Sequence, residues 1–221
     1  MRERRRELAR HALEGYPDGP AAALVAHTAL ESLDTIAALH GIVLVEGVSD
    51  RIAVEAVARR RGTDLSGIGV VPTGGAQGIG RMLRTLAVRH PGVTVAGVND
   101  VAESAVVRHA LAAAGLLEPG ADAASAGFFS CVDDLEDELL RGVGLDHVED
   151  CLAAQSDLAS FRRMQQQPQW RDQDLHAQLR RWLAGGARRK LRYARILVEA
   201  MPLERMPRPL LAALDRVAAT R

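Results

Sequence analysis

Residues 42 to 45, Ile-Val-Leu-Val, form an apolar, β-branched-rich run without alternation, and Glu46 and Gly47 end it. A strand that is apolar on both faces fits the interior of a parallel sheet covered by helices, because a half-exposed strand would show a polar face. Glu46 then falls at the carboxyl end of that strand. Open parallel sheets bind ligands outside those ends, where loops and helix N-termini converge. A carboxylate there ends a strand instead of starting a helix, and burying it unpaired is costly.

The rest of the chain supports such a sheet. Strands are expected near 42–46, 68–72, 93–98 and 127–131, separated by the amphipathic stretches "DRIAVEAVARRR", "IGRMLRTLAVRH" and "AESAVVRHALAAAG". That alternation reads as right-handed βαβ units around a mostly parallel four-stranded sheet, an α/β fold. Ahead of it, "RERRRELARHALEG" and "AAALVAHTALESLDTIAALH" read as two helices around the turn "YPDGP", the second with Leu24, Ala29, Leu33, Ile36 and Ala37 on one broad face. Beyond "DDLEDELLRGVG" no strand signal remains, and helices are broken at "QQQPQW", "GGARR" and "MPRP". The expected organisation is N-terminal helices over 1–40, an α/β domain over 41–144, and a helical extension over 145–221 packed on that domain. The N-terminal helices offer a surface for a homo-oligomer.

Several function classes are excluded early. Formal net charge is zero, so attraction to nucleic acid must come from local clusters rather than the whole molecule. No apolar run approaches the roughly 20 residues of a membrane span, the N-terminus lacks an apolar signal core, and two cysteines give no disulfide framework. A cytoplasmic protein without membrane contact is expected. "GGAQGIGRM" (74–82) imitates a P-loop, but Arg81 and Met82 stand where Lys and Ser or Thr are needed, so it reads as a Gly-rich turn entering a helix. Cys131, His147 and Cys151 have no zinc-ligand spacing.

Glu46, Asp50, Asp100, Glu103, Asp133, Asp134 and Glu136 all follow expected strands one, three and four, whose ends a parallel sheet gathers on one edge. Clustered carboxylates repel unless cations neutralise them, and Mg or Mn suits such oxygen ligands. Part of the set has a simpler reading, since Asp100-x-x-Glu103 and Asp133-x-x-Glu136 each resemble a capping box.

"VLVEGVSD", then "VAGVND", then "CVDDLEDELL" together resemble the TOPRIM domain, in the variant found in OLD-family nucleases, over roughly 42–142. The resemblance implies a Rossmann-like fold and a divalent-metal site built on Glu46, Asp50 and Asp100, with Glu103, Asp134 and Glu136 as further ligands. The D-x-D of the family stands here as Asp100-Val101-Ala102, so its second Asp is missing and Glu103 is the nearest substitute. The family's ATPase domain has no counterpart in the chain, so no ATP is expected. Only Tyr16 and Tyr193 are present, which disfavours topoisomerase chemistry, and no zinc-binding or polymerase-like extension favours primase chemistry.

OLD-type nucleases also supply an active-site lysine from beyond these motifs. "GGARRKLRYAR" (185–195) looks like that segment and contains Lys190, the single lysine of the chain, which implies a catalytic pair of Glu46 and Lys190. Arg188, Arg189 and Arg192 lie in the densest basic run outside the N-terminus and are the expected nucleic-acid contacts, to DNA or RNA. The implied activity is a metal-dependent phosphodiesterase, a TOPRIM nuclease. The alternative is a non-catalytic TOPRIM module that binds metal, nucleotide or nucleic acid and regulates a partner.

Overall fold

The computed structural model describes residues 2–12, 31–36 and 38–219. Most of the expected second N-terminal helix, including Leu24, Ala29 and Ala37, lies outside the described residues. Strands β1 (Gly41–Val45), β2 (Ile68–Pro72), β3 (Thr94–Asn99) and β4 (Phe128–Ser130) form an all-parallel sheet in the order β2-β1-β3-β4. Central β1 is buried along its whole length, which explains its unbroken apolar run. The chain passes from β1 to β2 on one side, then crosses to β3 on the other. The topological switch therefore falls between the ends of β1 and β3, at Glu46 and Asp100.

Period-two alternation divides the core between the two faces of the sheet. Val43, Val45, Ala96 and Val98 face α2 (Val48–Arg61) and the later helices, whereas Ile42, Leu44 and Phe128 face α3 (Ile79–Arg89) and α4 (Ser104–Ala113). Chain from residue 135 onward joins the first of these cores. Helices α5 (Leu135–Val143), α6 (Leu145–Ala154), α7 (Leu158–Gln165), α8 (Pro168–Arg171), α9 (Leu175–Ala184), α10 (Ala187–Ala200) and α11 (Arg208–Ala218) follow in turn. Residues of α5, α6, α7, α9, α10 and α11 share one buried cluster with β1, β3 and α2, so no boundary between cores falls at 144/145. Short α1 (Arg2–Ala12) reaches α10 through Arg195, whose guanidinium donates to the His11 carbonyl.

The basic C-terminal turn of α2 fastens the C-terminal helices. Arg59 pairs with Glu199 at 2.8 Å and Arg61 with Asp215 at 2.6 Å. Arg60 donates to the carbonyls of Val198, at 2.7 Å, and Met201, supplying partners that the end of α10 cannot find within the helix. A buried triad sets the rotation of α10: Asp157 accepts from Arg192 at 2.8 Å and from the Tyr193 hydroxyl at 3.1 Å. Trp182 packs edge-on against Phe161 and Tyr193 beside it. Among the described residues no helix is long and apolar enough to cross a membrane.

Gly97 of β3 is required by close packing. A Cβ there would meet the Phe128 ring at 2.3 Å, and Phe128 is itself buried in the second core. Gly97→Ala should therefore destabilise the fold by about 1–3 kcal/mol in urea titration, the usual cost of overpacking. Adding Phe128→Leu should recover part of that loss, and simple additivity in the double-mutant cycle would contradict the contact.

Candidate metal centre

The backbone around Glu46 is held from both sides of β1. Its carbonyl accepts from the amides of Gly74 and Gly75 at 3.1 and 3.0 Å, in a turn where both glycines take positive φ. The P-loop-like segment is thus a turn that fastens Glu46 and then enters α3 through a 3-10 turn at Ala76–Gly78. Across the crevice, the Glu46 carboxylate accepts the Asp100 amide at 2.9 Å. One hydrogen bond therefore joins the ends of β1 and β3 at the switch point.

Asp50 lies in the first turn of α2. Its carboxylate accepts the Gly47 amide at 3.2 Å and the Ser49 hydroxyl at 3.1 Å, so it serves the helix N-terminus while standing at the acidic edge. The two capping boxes expected from sequence are absent. Neither Asp100 nor Glu103 caps with its side chain, and Glu103 instead sits partly buried in a 3-10 turn at Val101–Glu103. The cap of α5 is one residue later than expected: Asp134 accepts the Asp137 amide at 2.9 Å, while Asp133 is exposed.

Two cations reach the edge from the C-terminal helices. Lys190 Nζ lies 3.2 Å from Glu136 Oε1, and Arg180 of α9 donates through Nε and Nη2 to Asp134 at 3.0 and 2.5 Å. Lys190 is thus brought beside the carboxylates that follow β1, β3 and β4. Arg192, expected among the nucleic-acid contacts, is instead buried and ion-paired with Asp157, so its guanidinium is unavailable to a phosphate. Its neighbours Arg188 and Arg189 are exposed and half-buried, respectively.

Electrostatics follow from this crowding. Burial, then the charges of Glu46, Asp50 and Asp134, push the Asp100 carboxyl up to about 7, with Lys190 opposing them. Burial also raises Asp50 to about 6, against the pull of Lys190. At Glu136 burial outweighs the ion pair and raises the carboxyl, whereas at Lys190 the surrounding carboxylates outweigh burial and raise the ammonium. The chemistry fits a hard divalent cation, which would relieve this repulsion. As the side chains are arranged, no group of three His, Cys, Asp or Glu among the described residues is close enough to hold one. Binding would require the carboxylates to turn toward a common point.

Sequence reasoning passed over the neutral groups of this edge. Asn99, buried at the end of β3, donates to the Asp100 carbonyl at 2.8 Å and to the Ser130 hydroxyl at 3.0 Å, tying β3 to β4. The only sequence signal was its place directly before Asp100.

Because folding raises Asp50 and Asp100 from 3.8, the native state holds protons that the unfolded chain releases. Stability should fall as pH rises from about 4 to about 7. Asp100→Asn should therefore stabilise the metal-free protein by about 1–2 kcal/mol at pH 8, allowing for solvent screening, and by almost nothing at pH 4. Thermal melts at both pH values test this, and an equal effect at both would contradict it.

Residues 40–100 match the family model described as the TOPRIM domain of overcoming lysogenization defect (OLD) protein-like proteins. The C-terminal region of the Xanthomonas campestris pv. campestris OLD protein has a similar fold, with TM-score 0.59 and 20% identity over 82% of this chain and 95% of that one. The C-terminal region of the Burkholderia pseudomallei OLD protein gives TM-score 0.56 and 17% identity over 82% and 98%. No curated protein matches the sequence significantly. The parallel sheet, the motifs along β1 and β3 and the family match lead to one assignment: the chain carries a TOPRIM domain of the OLD type.

Proposed function

We propose that the chain is a divalent-metal-dependent phosphodiesterase acting on a nucleic-acid backbone at the edge formed by β1 and β3. A TOPRIM domain of this type indicates a metal-binding, nuclease-like module. The observation that carries the reading further is Lys190: the chain's single lysine stands 3.2 Å from Glu136, at the edge that also holds Asp50 and Asp100. A general need for surface charge is met elsewhere by arginine, so a lysine here suits a role for a compact, strongly hydrated point charge.

Glu46, Asp50 and Asp100 would hold Mg or Mn, with Glu103, Asp134 and Glu136 as further oxygen ligands. The cation supplies Lewis acidity and lowers the pKa of water. Glu46 keeps the ends of β1 and β3 in register through the Asp100 amide. An arriving phosphate would compete with Glu136 for Lys190, whose ammonium offsets negative charge growing on the phosphate as the P–O bond breaks. Arg188, exposed and next to Lys190 in sequence, would contact the flanking backbone, whereas Arg189 packs on the Trp182 ring.

The second reading, a binding module without catalysis, is favoured by the absence of a ready coordination shell among the described residues and by Val101-Ala102 after Asp100. Mn-dependent cleavage of supercoiled plasmid and structured RNA separates the two. On the catalytic reading wild type cleaves one of them, and Glu46→Gln loses at least about 100-fold. Lys190→Met should lose cleavage while Mn binding, followed by calorimetry, persists, and Lys190→Arg should rescue poorly. Mn binding by wild type with neither substrate cut would favour the binding module. Metal affinity should also climb between pH 6 and 8 as Asp50 and Asp100 deprotonate; a flat profile would remove both as ligands.

A further inference from the structure

Helices α7, α8, α9 and the start of α10 line an open cavity of about 350 Å3. Its lining includes Arg163, Trp170, Arg181, Trp182 and Arg189 and contains no acidic side chain. Two arginine–tryptophan pairs shape the wall. The Arg189 guanidinium lies 3.9 Å from the Trp182 ring centre, and that of Arg181 lies 5.8 Å from Trp170. Arg189 also donates to the Trp182 carbonyl, so it belongs to the wall. Arg163 and Arg181 are exposed, and Trp170 is partly exposed.

Positive charge beside an accessible indole fits a ligand that carries both a flat ring and a phosphate, because bases stack on aromatic faces while phosphates take arginine. The volume is near the lower end of the roughly 300–1,000 Å3 of small-ligand pockets, enough for a single nucleotide and too small for a duplex. Neighbouring residues connect this cavity to the acidic edge. On α9, Arg180 pairs with Asp134 while Arg181 lines the cavity; on α10, Arg189 lines the cavity while Lys190 pairs with Glu136.

We propose that this cavity receives one unpaired nucleotide of the strand whose phosphate lies at the acidic edge, with the base against Trp170 and the backbone phosphate on Arg163 and Arg181. The inference rests on the reading of that edge as a nucleic-acid site and narrows its substrate to strands with an unpaired segment.

The test measures binding in EDTA, where the acidic edge cannot cleave, using end-labelled dT and U 12-mers and a 12-base-pair duplex by fluorescence anisotropy. Wild type should bind a 12-mer more tightly than the duplex. Trp170→Ala should weaken that binding about ten-fold, Trp170→Phe should restore most of it, and Arg163→Glu should weaken it and flatten its salt dependence. Circular dichroism melts check folding, and exposed Arg163 keeps the test valid should Trp170→Ala fail to fold. Wild-type affinity in folded Arg163→Glu or Trp170→Ala would overturn the proposal. Competition by a free mononucleotide as strong as by the 12-mer would also overturn it, in favour of a nucleotide site. Tryptophan-dependent strand binding without Mn cleavage would preserve the cavity and defeat only the hydrolytic reading.

Discussion

Crowding of carboxylates at one end of the sheet is the constraint on which the C-terminal half of the molecule depends. Glu46, Asp50, Asp100, Asp134 and Glu136 follow three strands whose parallel direction leaves their ends on one side. Burial, and then the neighbouring like charges, disfavour ionisation here, which is why Asp100 is pushed up to about 7. Lys190 and Arg180, from helices that begin only at Ala187 and Leu175, well after β4, bring positive charge to Glu136 and Asp134.

That delivery depends on apolar packing and on one buried ion pair. Asp157 binds Arg192 and Tyr193 in the interior, and the Phe161–Trp182–Tyr193 cluster fills the space beside them. A buried ion pair adds little net stability over apolar packing, but breaking it leaves a charge stranded, so it favours one rotation of α10 over others. In the observed rotation Lys190 is presented to Glu136 while Leu191, Ala194 and Val198 join the core. The arginines that hold the end of α10 and pair with α11 come from α2, the helix whose first turn carries Asp50. Site and scaffold are therefore coupled through α2.

Much of the site was legible because its signals are local. The apolar run before Glu46 marks a strand by its shortness, its β-branched residues and the glycine that follows, and the four strands lie within a residue or so of expectation. Capping registers were less legible. Asp133-Asp134 offers two adjacent candidates of equal propensity, and the chain uses Asp134 because its carboxylate reaches the Asp137 amide in the α5 that actually forms. Arg192 was misjudged for a related reason: a basic run gives charge density but not the direction of any one side chain, and a partner 35 residues earlier in sequence draws this arginine inside.

The sequence by itself determined the parallel α/β layout, the acidic residues that follow the strands and the resemblance of their motifs, because apolar periodicity and short motif spacing act over a few residues. Tertiary structure decided which charges meet. Lys190 beside Glu136, Arg180 on Asp134 and the Glu46 bond to the Asp100 amide all join segments remote in sequence. Their pairing is set by how helices pack on the sheet, which side-chain volumes and buried polar partners choose and no local pattern encodes.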